Sequence, residues 1–173
     1  YFKLDNHWNE WGAFHAANEV LTVIHEDFPT VQPNLIGDYN IERIDVKKGN
    51  LVDMFGLELP LQDSTVKMHP IHGFQAQVMP DLPYPVMESF VYPDQYETRR
   101  AIKGSQQPKI LLFTDSFGQL FMPYVAEQFR ETVKIFDGWE YKLNEPIVQN
   151  EHADVVLLMI LESNLRHILQ HLS

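Results

Sequence analysis

The sequence lacks cysteine altogether: none of its 173 residues carries a thiol. This absence excludes structural disulfides, cysteine nucleophiles, thiolate zinc ribbons and iron–sulfur clusters together. It leaves the redox compartment open, because a cysteine-free chain can work on either side of a membrane. We expect neither a metal nor a cofactor.

Cationic residues are also scarce. The chain has 13 Lys and Arg against 24 Asp and Glu, which gives a formal charge of −11. Such a field repels polyanions, so nucleic acid and anionic membrane surfaces are not expected partners.

Long hydrophobic runs are missing as well. No stretch approaches the roughly 18–20 apolar residues that cross a bilayer, and the start lacks the basic and apolar regions of a signal peptide. We therefore expect no transmembrane segment in this chain. The sequence begins at Tyr1 rather than Met, and residues 1–5 have the pattern of a strand. We expect it to begin inside a longer gene product, whose upstream part would carry any targeting signal.

What is present is a globular composition, with 45% hydrophobic and 12% aromatic residues. A chain of this length buries roughly 70% of its unfolded surface in one domain. Near the start, apolar residues recur at three- and four-residue steps, which predicts a helix over residues 11–25 that ends before Pro29. Its expected core stripe is Trp11, Phe14, Ala17, Leu21, Ile24 and Phe28.

The middle of the chain is irregular. Between about residues 30 and 107, Pro, Gly and polar residues leave only short strands at 40–46, 66–68 and 89–92 and a helical turn at 50–55. Within it, residues 57–106 form a predicted loop-rich insertion. Long irregular connections are often functional, so the insertion either shapes a binding surface or is an ordered decoration without a ligand.

The final third has the pattern of an α/β fold. Strands are predicted at 109–114, 132–136 and 154–161, and helices at 118–130, near 145–151 and from about 164. Pro123 predicts that the regular part of the first of these helices starts near Met122. Alternating strands and helices favour a three-layer α/β/α sandwich with a mostly parallel sheet, and we treat residues 1–173 as a single domain.

A serine lies where such folds bind ligands. Ser116, within the sequence TDSFG at 114–118, follows a predicted buried strand and precedes a helix. A serine on a tight strand-to-helix turn is exposed, and its backbone N–H can hold a developing oxyanion. By itself the segment is more often a simple helix cap.

A base and its orienting group are available near the start of the chain. In an extended segment, residues two apart point to the same side, so the Asp5 carboxylate can reach one imidazole nitrogen of His7 and leave the other free. That arrangement fixes the tautomer a base requires. Alone, the pair is more often an ordinary aspartate beside a helix-capping histidine, but together with Ser116 it favours nucleophilic catalysis.

Taken together, several segments resemble one known family, the DHHW and alginate O-acetyltransferase-like branch of the SGNH hydrolases. In that branch the Asp-x-His element precedes the serine. The segments are YFKLDNHWNEWGAF at 1–14, GNLVDMFG at 49–56, TDSFG at 114–118, MPY at 122–124, ADVV at 153–156 and LESNL at 161–165. The resemblance is thin between residues 62 and 106.

The resemblance implies an SGNH-like catalytic domain in which Ser116 is the nucleophile, His7 the general base and acid, and Asp5 its orienting carboxylate. It also implies that the Ser116 backbone N–H contributes to the oxyanion hole, and Asn164 is a candidate for a further donor. Strands that the family places before Asp-x-His are missing. Either the chain is a fragment or another segment completes the sheet.

This chain departs from the family's pattern at three places. Asn6 stands where a second histidine is common, Thr114 and Asp115 replace the usual Gly-Asp before the serine, and Ser163 occupies a position where arginine is frequent. The substitution before the serine is expected to alter the turn.

The function implied by the resemblance is transfer of an acetyl group to a polysaccharide hydroxyl through an acetyl-serine. The resemblance also implies that a membrane partner protein supplies the acetyl donor, and the expected location is extracytoplasmic, in the periplasm or at the cell surface. Two alternatives stay open. One is a carbohydrate acetylesterase of the same class, and the other is a non-catalytic carbohydrate-binding domain.

Several aromatic and basic residues are further candidates for binding roles. Trp8, next to the proposed base, and Trp139, beyond a strand end, are predicted to stack against sugar rings. Trp11 is assigned to the core instead. The remaining candidates are interpreted as ordinary surface groups: His69 and His72, the helical pair His167 and His171, and the pair Arg99 and Arg100.

Overall fold

The fold was obtained as a computed structural model, which describes residues 1–56, 62–86, 88, 90–137, 140 and 143–165. It belongs to the α/β class, as predicted. The helices are α1 (Glu10–Asp27), α2 (Asn50–Met54), α3 (Gly118–Ala126) and α4 (Glu145–Glu151). The strands are β1 (Tyr39–Val46), β2 (Asp63–Pro70), β3 (Gln77–Val78), β4 (Glu97–Ala101), β5 (Lys109–Thr114), β6 (Glu131–Ile135) and β7 (Val155–Met159).

The main sheet has five strands in the order β3-β4-β6-β5-β7. Strand β5 pairs in parallel with β6 and with β7, whereas β4 is antiparallel to β6 and β3 is antiparallel to β4. The predicted parallel character therefore holds for three strands, and the sheet as a whole is mixed. The two antiparallel strands come from the irregular middle of the chain, where no crossover helix is needed to connect them.

Strand β5 is buried on both of its faces. Ile110 and Leu112 belong to a hydrophobic cluster that includes residues of α1 and α3. Leu111 and Phe113 belong to a second cluster, with residues of β6 and with Ile147 of α4. This burial explains the continuous apolar run of β5 and fixes the direction in which its last residue leads into α3.

Helix α1 confirms the predicted amphipathic segment but corrects one of its core residues. Phe14, Ala17 and Leu21 are buried, whereas Trp11 is 40% exposed. At about 100° per residue, Trp11 lies roughly 100° around the helix from the centre of the buried face. The three- and four-residue spacing alone therefore placed it on the wrong side of the stripe.

The middle of the chain is more ordered than its sequence indicates. Strands β1 and β2 form a two-stranded antiparallel sheet, and α2 occupies the predicted helical turn. The predicted strand at 89–92 is wrong where it can be seen, since residues 90–92 are not a strand; Ser89 lies outside the described residues. Strand β4, which the sequence did not predict, instead joins the main sheet from this region.

The reason β4 escaped prediction is a buried ionic cluster. Arg99 is only 7% exposed and donates hydrogen bonds to Glu97, Glu131 and Glu151, with a distance of 2.5 Å from Nε to Glu97 Oε1. The interpretation of Arg99 and Arg100 as a surface pair is therefore wrong for Arg99. Its charge is buried because three carboxylates surround it.

The first residues form a loop instead of the expected strand. The Lys3 N–H donates to an Asp63 carboxylate oxygen at 2.6 Å, and the Leu4 carbonyl accepts from the Leu51 N–H at 3.2 Å. Backbone groups at Lys3 and Leu4 thus bond to a side chain and to the start of α2 rather than to a neighbouring strand.

Helix α3 begins directly after the serine turn, at Gly118, and contains Pro123. The expected later start near Met122 and the expected end at residue 130 are both wrong. Pro123 has no N–H, so it cannot make the helical bond to the carbonyl four residues earlier.

The last described residues form a shorter strand than predicted, followed by a 3-10 turn. Strand β7 is shorter than the predicted 154–161, and Glu162–Asn164 form a 3-10 turn. Most of the predicted terminal helix lies outside the described residues, as do His167 and His171. In the part of the chain that is described, no helix combines the length and hydrophobicity required to cross a bilayer.

Gly118 is required by the close packing of α3 on the end of β5. A Cβ at this position would lie 2.2 Å from Thr114 Oγ1 and 2.5 Å from Thr114 Cβ. Gly118→Ala should therefore lower the free energy of unfolding by about 1–3 kcal/mol, measured by denaturant titration. Gly37→Ala is the matched control, because in the described part of the chain no atom beyond the two neighbouring residues lies within 4 Å of a Cβ built there. Equal stability of the two variants would contradict the packing argument.

Lys134, in the middle of β6, is fully buried, and its Nζ has no hydrogen-bond partner among the described residues. Burial lowers the pKa of its ammonium group to about 8. The folded protein therefore binds fewer protons than the unfolded chain between pH 8 and the ordinary lysine pKa of about 10.4. Below pH 8 the Lys134 amine is charged in both states, and the whole free-energy cost of burying that charge is subtracted from the stability of the fold.

Replacing this amine by an apolar group should stabilise the protein. We expect Lys134→Met to raise the free energy of unfolding by about 3 kcal/mol at pH 7, and the gain to shrink as pH rises from about 8 to 10.4. Chemical denaturation at several pH values measures this difference, with the exposed Lys67→Met as control. A gain that is absent at pH 7, or that grows with pH, would rule the explanation out.

Candidate active site

Ser116 lies on the tight turn between β5 and α3. The carboxylate of the preceding residue holds this turn: Asp115 Oδ1 accepts the Phe117 N–H at 2.9 Å, and Oδ2 accepts the Leu161 N–H at 2.8 Å. Burial raises the pKa of Asp115, and this effect outweighs its two backbone hydrogen bonds. Asp115 thus links the serine turn to the segment that follows β7, a role that sequence analysis did not assign to it.

His7 joins the two ends of the predicted site. Its Nε2 lies 2.7 Å from Ser116 Oγ, and its Nδ1 lies 2.6 Å from Asp5 Oδ1. Because the carboxylate can only accept, Nδ1 carries the proton and Nε2 is free to accept the serine proton. The three side chains therefore form a continuous Asp–His–Ser hydrogen-bonded chain.

The local geometry of Asp5 and His7 differs from the expected strand alternation. The His7 backbone N–H donates to Asp5 Oδ1 at 3.0 Å, so the segment is an Asx turn within the N-terminal loop. Two bonds to the same oxygen, one from the backbone and one from the ring, fix the imidazole relative to the carboxylate. The side chains meet as predicted, but for a different physical reason.

The start of α2 holds the Asp5 loop in place. The Asn50 N–H donates to Asp5 Oδ2 at 3.1 Å, and Asn50 Oδ1 accepts the Asn6 N–H at 3.1 Å. Gly49 has no room for a side chain, since its Cβ would lie 2.2 Å from the Leu4 carbonyl oxygen. The segment at 49–56, noted for its resemblance to a family motif, thus supports the predicted orienting carboxylate.

Asp5 is held in its ionised form. Partial burial opposes ionisation, but hydrogen bonds from the backbone N–H groups of His7 and Asn50, together with the His7 ring, outweigh it and lower the pKa of Asp5. The carboxylate is therefore charged at neutral pH and can stabilise a protonated imidazole.

Aromatic contacts lock the serine turn against the N-terminal loop. The His7 ring lies against the Phe117 ring at a centroid distance of 4.8 Å, and the Trp8 indole N–H donates to the Phe117 carbonyl at 3.1 Å. Trp8 also stacks on Phe121 of α3, with ring centroids 6.1 Å apart. Contacts of Trp8 and Phe117, the residues after His7 and Ser116, thus fix the N-terminal loop relative to the serine turn.

A cavity of about 310 Å³ opens beside His7 and Ser116. Its walls combine apolar rings and chains with one amide pair, in which Gln119 Nε2 donates to Gln95 Oε1 at 3.0 Å. The lining residues beyond His7 and Ser116 are Phe2, Asp5, Trp8, Gln95, Phe117, Gln119 and Leu120. An apolar wall suits a small acyl group, and the amides can bind hydroxyl groups.

The Ser116 backbone N–H is available as an oxyanion donor. Among the described residues this N–H makes no hydrogen bond, whereas the Phe117 N–H donates to Asp115. A donor at this place would face charge that develops on a carbonyl attacked by Ser116 Oγ.

The predicted binding residues have different outcomes. Trp8 lines the Ser116 cavity. Asn164 lies in the 3-10 turn after β7 and is not among the described residues that line this cavity, and its role as an oxyanion donor stays a prediction. Trp139 lies outside the described residues. The sequence missed Gln95 and Gln119, which carry no motif that would mark them.

The candidate histidine ligands are dispersed. His69 is exposed on β2 and lies 3.8 Å from Glu42, and His72 lines a different cavity. Within residues 1–165, apart from the gaps stated above, no group of three His, Cys, Asp or Glu side chains is placed to hold a metal ion.

Two solved structures of one protein share this architecture. The structure of Bacillus cereus PatB1 has a TM-score of 0.66 at 20% identity and covers 95% of this chain and 63% of PatB1. The structure of PatB1 with a sulfonyl adduct has a TM-score of 0.67 at 20% identity, with 95% and 61% covered.

A third solved structure connects the chain with the family suggested by its sequence. A DHHW family protein from Eubacterium siraeum has a TM-score of 0.66 at 18% identity and covers 92% of this chain and 58% of its own. The chain has the fold of this DHHW protein. The resemblance predicted from the sequence is thereby confirmed at the level of fold, and the Asp-x-His element precedes the serine in this DHHW-type arrangement.

Comparisons with protein-family models and with curated proteins gave no match. The chain spans about three fifths of the length of PatB1 and of the DHHW protein.

Proposed function

We propose that the protein transfers an acetyl group to a polysaccharide hydroxyl through an acetyl-serine intermediate at Ser116. The observation that carries this proposal is the Asp–His–Ser chain, with His7 Nε2 2.7 Å from Ser116 Oγ. A lapsed, purely carbohydrate-binding domain has no need for this contact. The DHHW fold and the cavity beside the serine agree with the same assignment.

In the first half-reaction, Ser116 Oγ attacks the carbonyl carbon of the donor ester while His7 Nε2 takes the hydroxyl proton. Asp5 stabilises the imidazolium, and the Ser116 N–H holds the oxyanion of the tetrahedral intermediate. The bond from the carbonyl carbon to the donor oxygen then breaks. His7 returns its proton to that oxygen, which leaves as an alcohol.

In the second half-reaction, His7 acts again as the base. It takes a proton from a sugar hydroxyl, whose oxygen attacks the acetyl carbon and displaces Ser116 Oγ, and the proton returns to the serine. Water in place of the sugar gives acetate, so hydrolysis and transfer use the same residues. The family resemblance favours the sugar, and Trp8, with Trp139 as a second candidate, supplies an aromatic face for its ring.

Several broader features belong to this proposal. Residues 1–173 act as one SGNH-like catalytic domain with a three-layer sandwich, in which residues 57–106 form an insertion that supplies Gln95 to the cavity. The acetyl donor comes through a membrane partner protein, and the protein works outside the cytoplasmic membrane. These statements rest on the resemblance.

The test is acetyl labelling. The protein is mixed with an activated acetyl ester, quenched and digested, and its peptides are weighed by mass spectrometry. We expect one acetyl group on the peptide that contains Ser116, and its transfer to an added oligosaccharide. Acetyl on a different residue, or none in the presence of turnover, would refute the intermediate. Release of acetate alone, with no acetylated sugar, would identify an esterase instead.

A further inference from the structure

A groove of about 460 Å³ lies between the start of α1 and the two-stranded sheet. It is separate from the Ser116 cavity, and neither its position nor its residues were predicted from sequence. Its lining includes Trp11, Gly12, Ile41, Arg43, Ser64 and Val66.

One wall of the groove is apolar and aromatic. Trp11 is 40% exposed and Ile41, across the groove on β1, is 45% exposed. The Trp11 ring contacts the His15 ring edge-on at a centroid distance of 4.8 Å, which leaves it outside the hydrophobic core. An exposed indole beside a groove offers the flat apolar face on which a sugar ring packs.

The polar end of the groove is Arg43. Its Nη2 donates to Ser64 Oγ at 2.6 Å, and in the described part of the chain no carboxylate lies within 4.0 Å of its guanidinium. The neighbouring Glu42 points to the opposite face of the sheet, where it approaches His69. In a chain with a net charge of −11, a guanidinium without a carboxylate partner, oriented by a serine hydroxyl, fits an anionic ligand.

A smaller cavity shares wall residues both with the groove and with the Ser116 cavity. A cavity of about 220 Å³ is lined by Tyr1, Trp8 and Asp115, among others. Tyr1 also borders the groove, and Trp8 also lines the Ser116 cavity. All three spaces are therefore bordered by residues of the same N-terminal segment, which also carries Asp5 and His7.

We propose that this groove binds the acceptor glycan, with one sugar ring against Trp11 and one acidic substituent on Arg43. The inference rests on the proposed function and adds a second binding site to it: the groove holds part of the acceptor at a distance from the reacting hydroxyl. Such remote binding raises the local concentration of acceptor without taking part in the chemistry.

The experiment measures binding by isothermal titration, without an acyl donor. The probes are hexagalacturonate, which carries carboxylates, pentamannosyl phosphate, which carries a phosphate, and neutral maltohexaose. We expect at least one acidic probe to bind about tenfold more tightly than the neutral one, and Arg43→Gln and Trp11→Ala each to weaken it about tenfold. Trp11→Phe, which keeps an aromatic face, should retain most of the affinity.

Lys103→Gln is the matched control, since it removes one exposed positive charge from the turn before β5. It should leave binding unchanged. Equal binding of acidic and neutral probes, or parental affinity in both groove variants, would overturn the proposal.

A kinetic measurement separates the groove from the proposed chemistry. With a small acetyl ester, Trp11→Ala and Arg43→Gln should keep the parental kcat/KM, whereas their KM for the oligosaccharide acceptor should rise about tenfold. If no Ser116-dependent ester turnover exists, the proposed function fails, but the titrations still decide whether the groove binds acidic glycans.

Discussion

Ser116→Ala should lower the turnover of an activated acetyl ester by at least about 10⁴-fold. The alanine removes the hydroxyl oxygen that would form the proposed covalent intermediate, while the cavity, the backbone N–H and the Asp5–His7 pair remain. If Ser116 and His7 act as one unit, the second substitution removes nothing further. The double variant Ser116→Ala, His7→Ala should therefore turn over no more slowly than either single variant. Steady-state release of the leaving group measures all three.

The control for this prediction is Ser105→Ala. Ser105 lies in the turn before β5, at the other end of the strand, and its hydroxyl accepts the Gln107 N–H at 3.2 Å. It should keep parental turnover. If Ser116→Ala and Ser105→Ala behave alike, or if the effects of removing Ser116 and His7 multiply, the Asp–His–Ser chain is not the catalytic unit.

Asp5→Asn should lower kcat by about 10³–10⁴-fold with little change in KM. The amide keeps an oxygen for the Asx turn, but it no longer compensates the charge of the imidazolium. Its NH₂ group can also donate to His7 Nδ1 and favour the tautomer with the proton on Nε2, which cannot accept the serine proton. The same kinetic assay, with circular dichroism to confirm folding, measures the effect.

Asp27→Asn provides the control, because it removes the same charge from the exposed last residue of α1. At 1.5 Å per residue this site lies about 25 Å along the helix from the end next to Trp8. It should retain full activity. An Asp5→Asn variant within tenfold of the parent would mean that the carboxylate does not orient a base.

The site could be predicted because each of its two parts, the Asp5–His7 pair and the Ser116 turn, is encoded within a short segment of sequence. Asp5 and His7 are two residues apart and meet within one turn. Ser116 lies two residues after the end of β5, whose last five residues are all buried, so its place at the carboxyl end of a sheet strand follows from the pattern. Only the meeting of His7 and Ser116, 109 residues apart, had to come from the family resemblance.

What escaped prediction depends on contacts between distant segments. Strand β4 is polar in sequence because Arg99 is neutralised by Glu97 of the same strand and by two carboxylates from distant elements, Glu131 of β6 and Glu151 of α4. Gln95 reaches the Ser116 cavity from a 3-10 turn of the irregular middle region. Trp11 has helical spacing that suits either the core or the surface, and only the packing of α1 decides which. None of these features has a signal within its own segment.

The central claim is that His7 activates Ser116, and active-site titration with a sulfonyl fluoride tests it most directly. A structure of PatB1 contains a sulfonyl adduct, and the reagent reports nucleophilicity without requiring the natural donor or acceptor. We predict one sulfonyl group per chain, mapped by peptide mass spectrometry to Ser116, with the rate at least about a hundredfold lower in His7→Ala. A label on another residue, or an undiminished rate without the imidazole, would contradict the account.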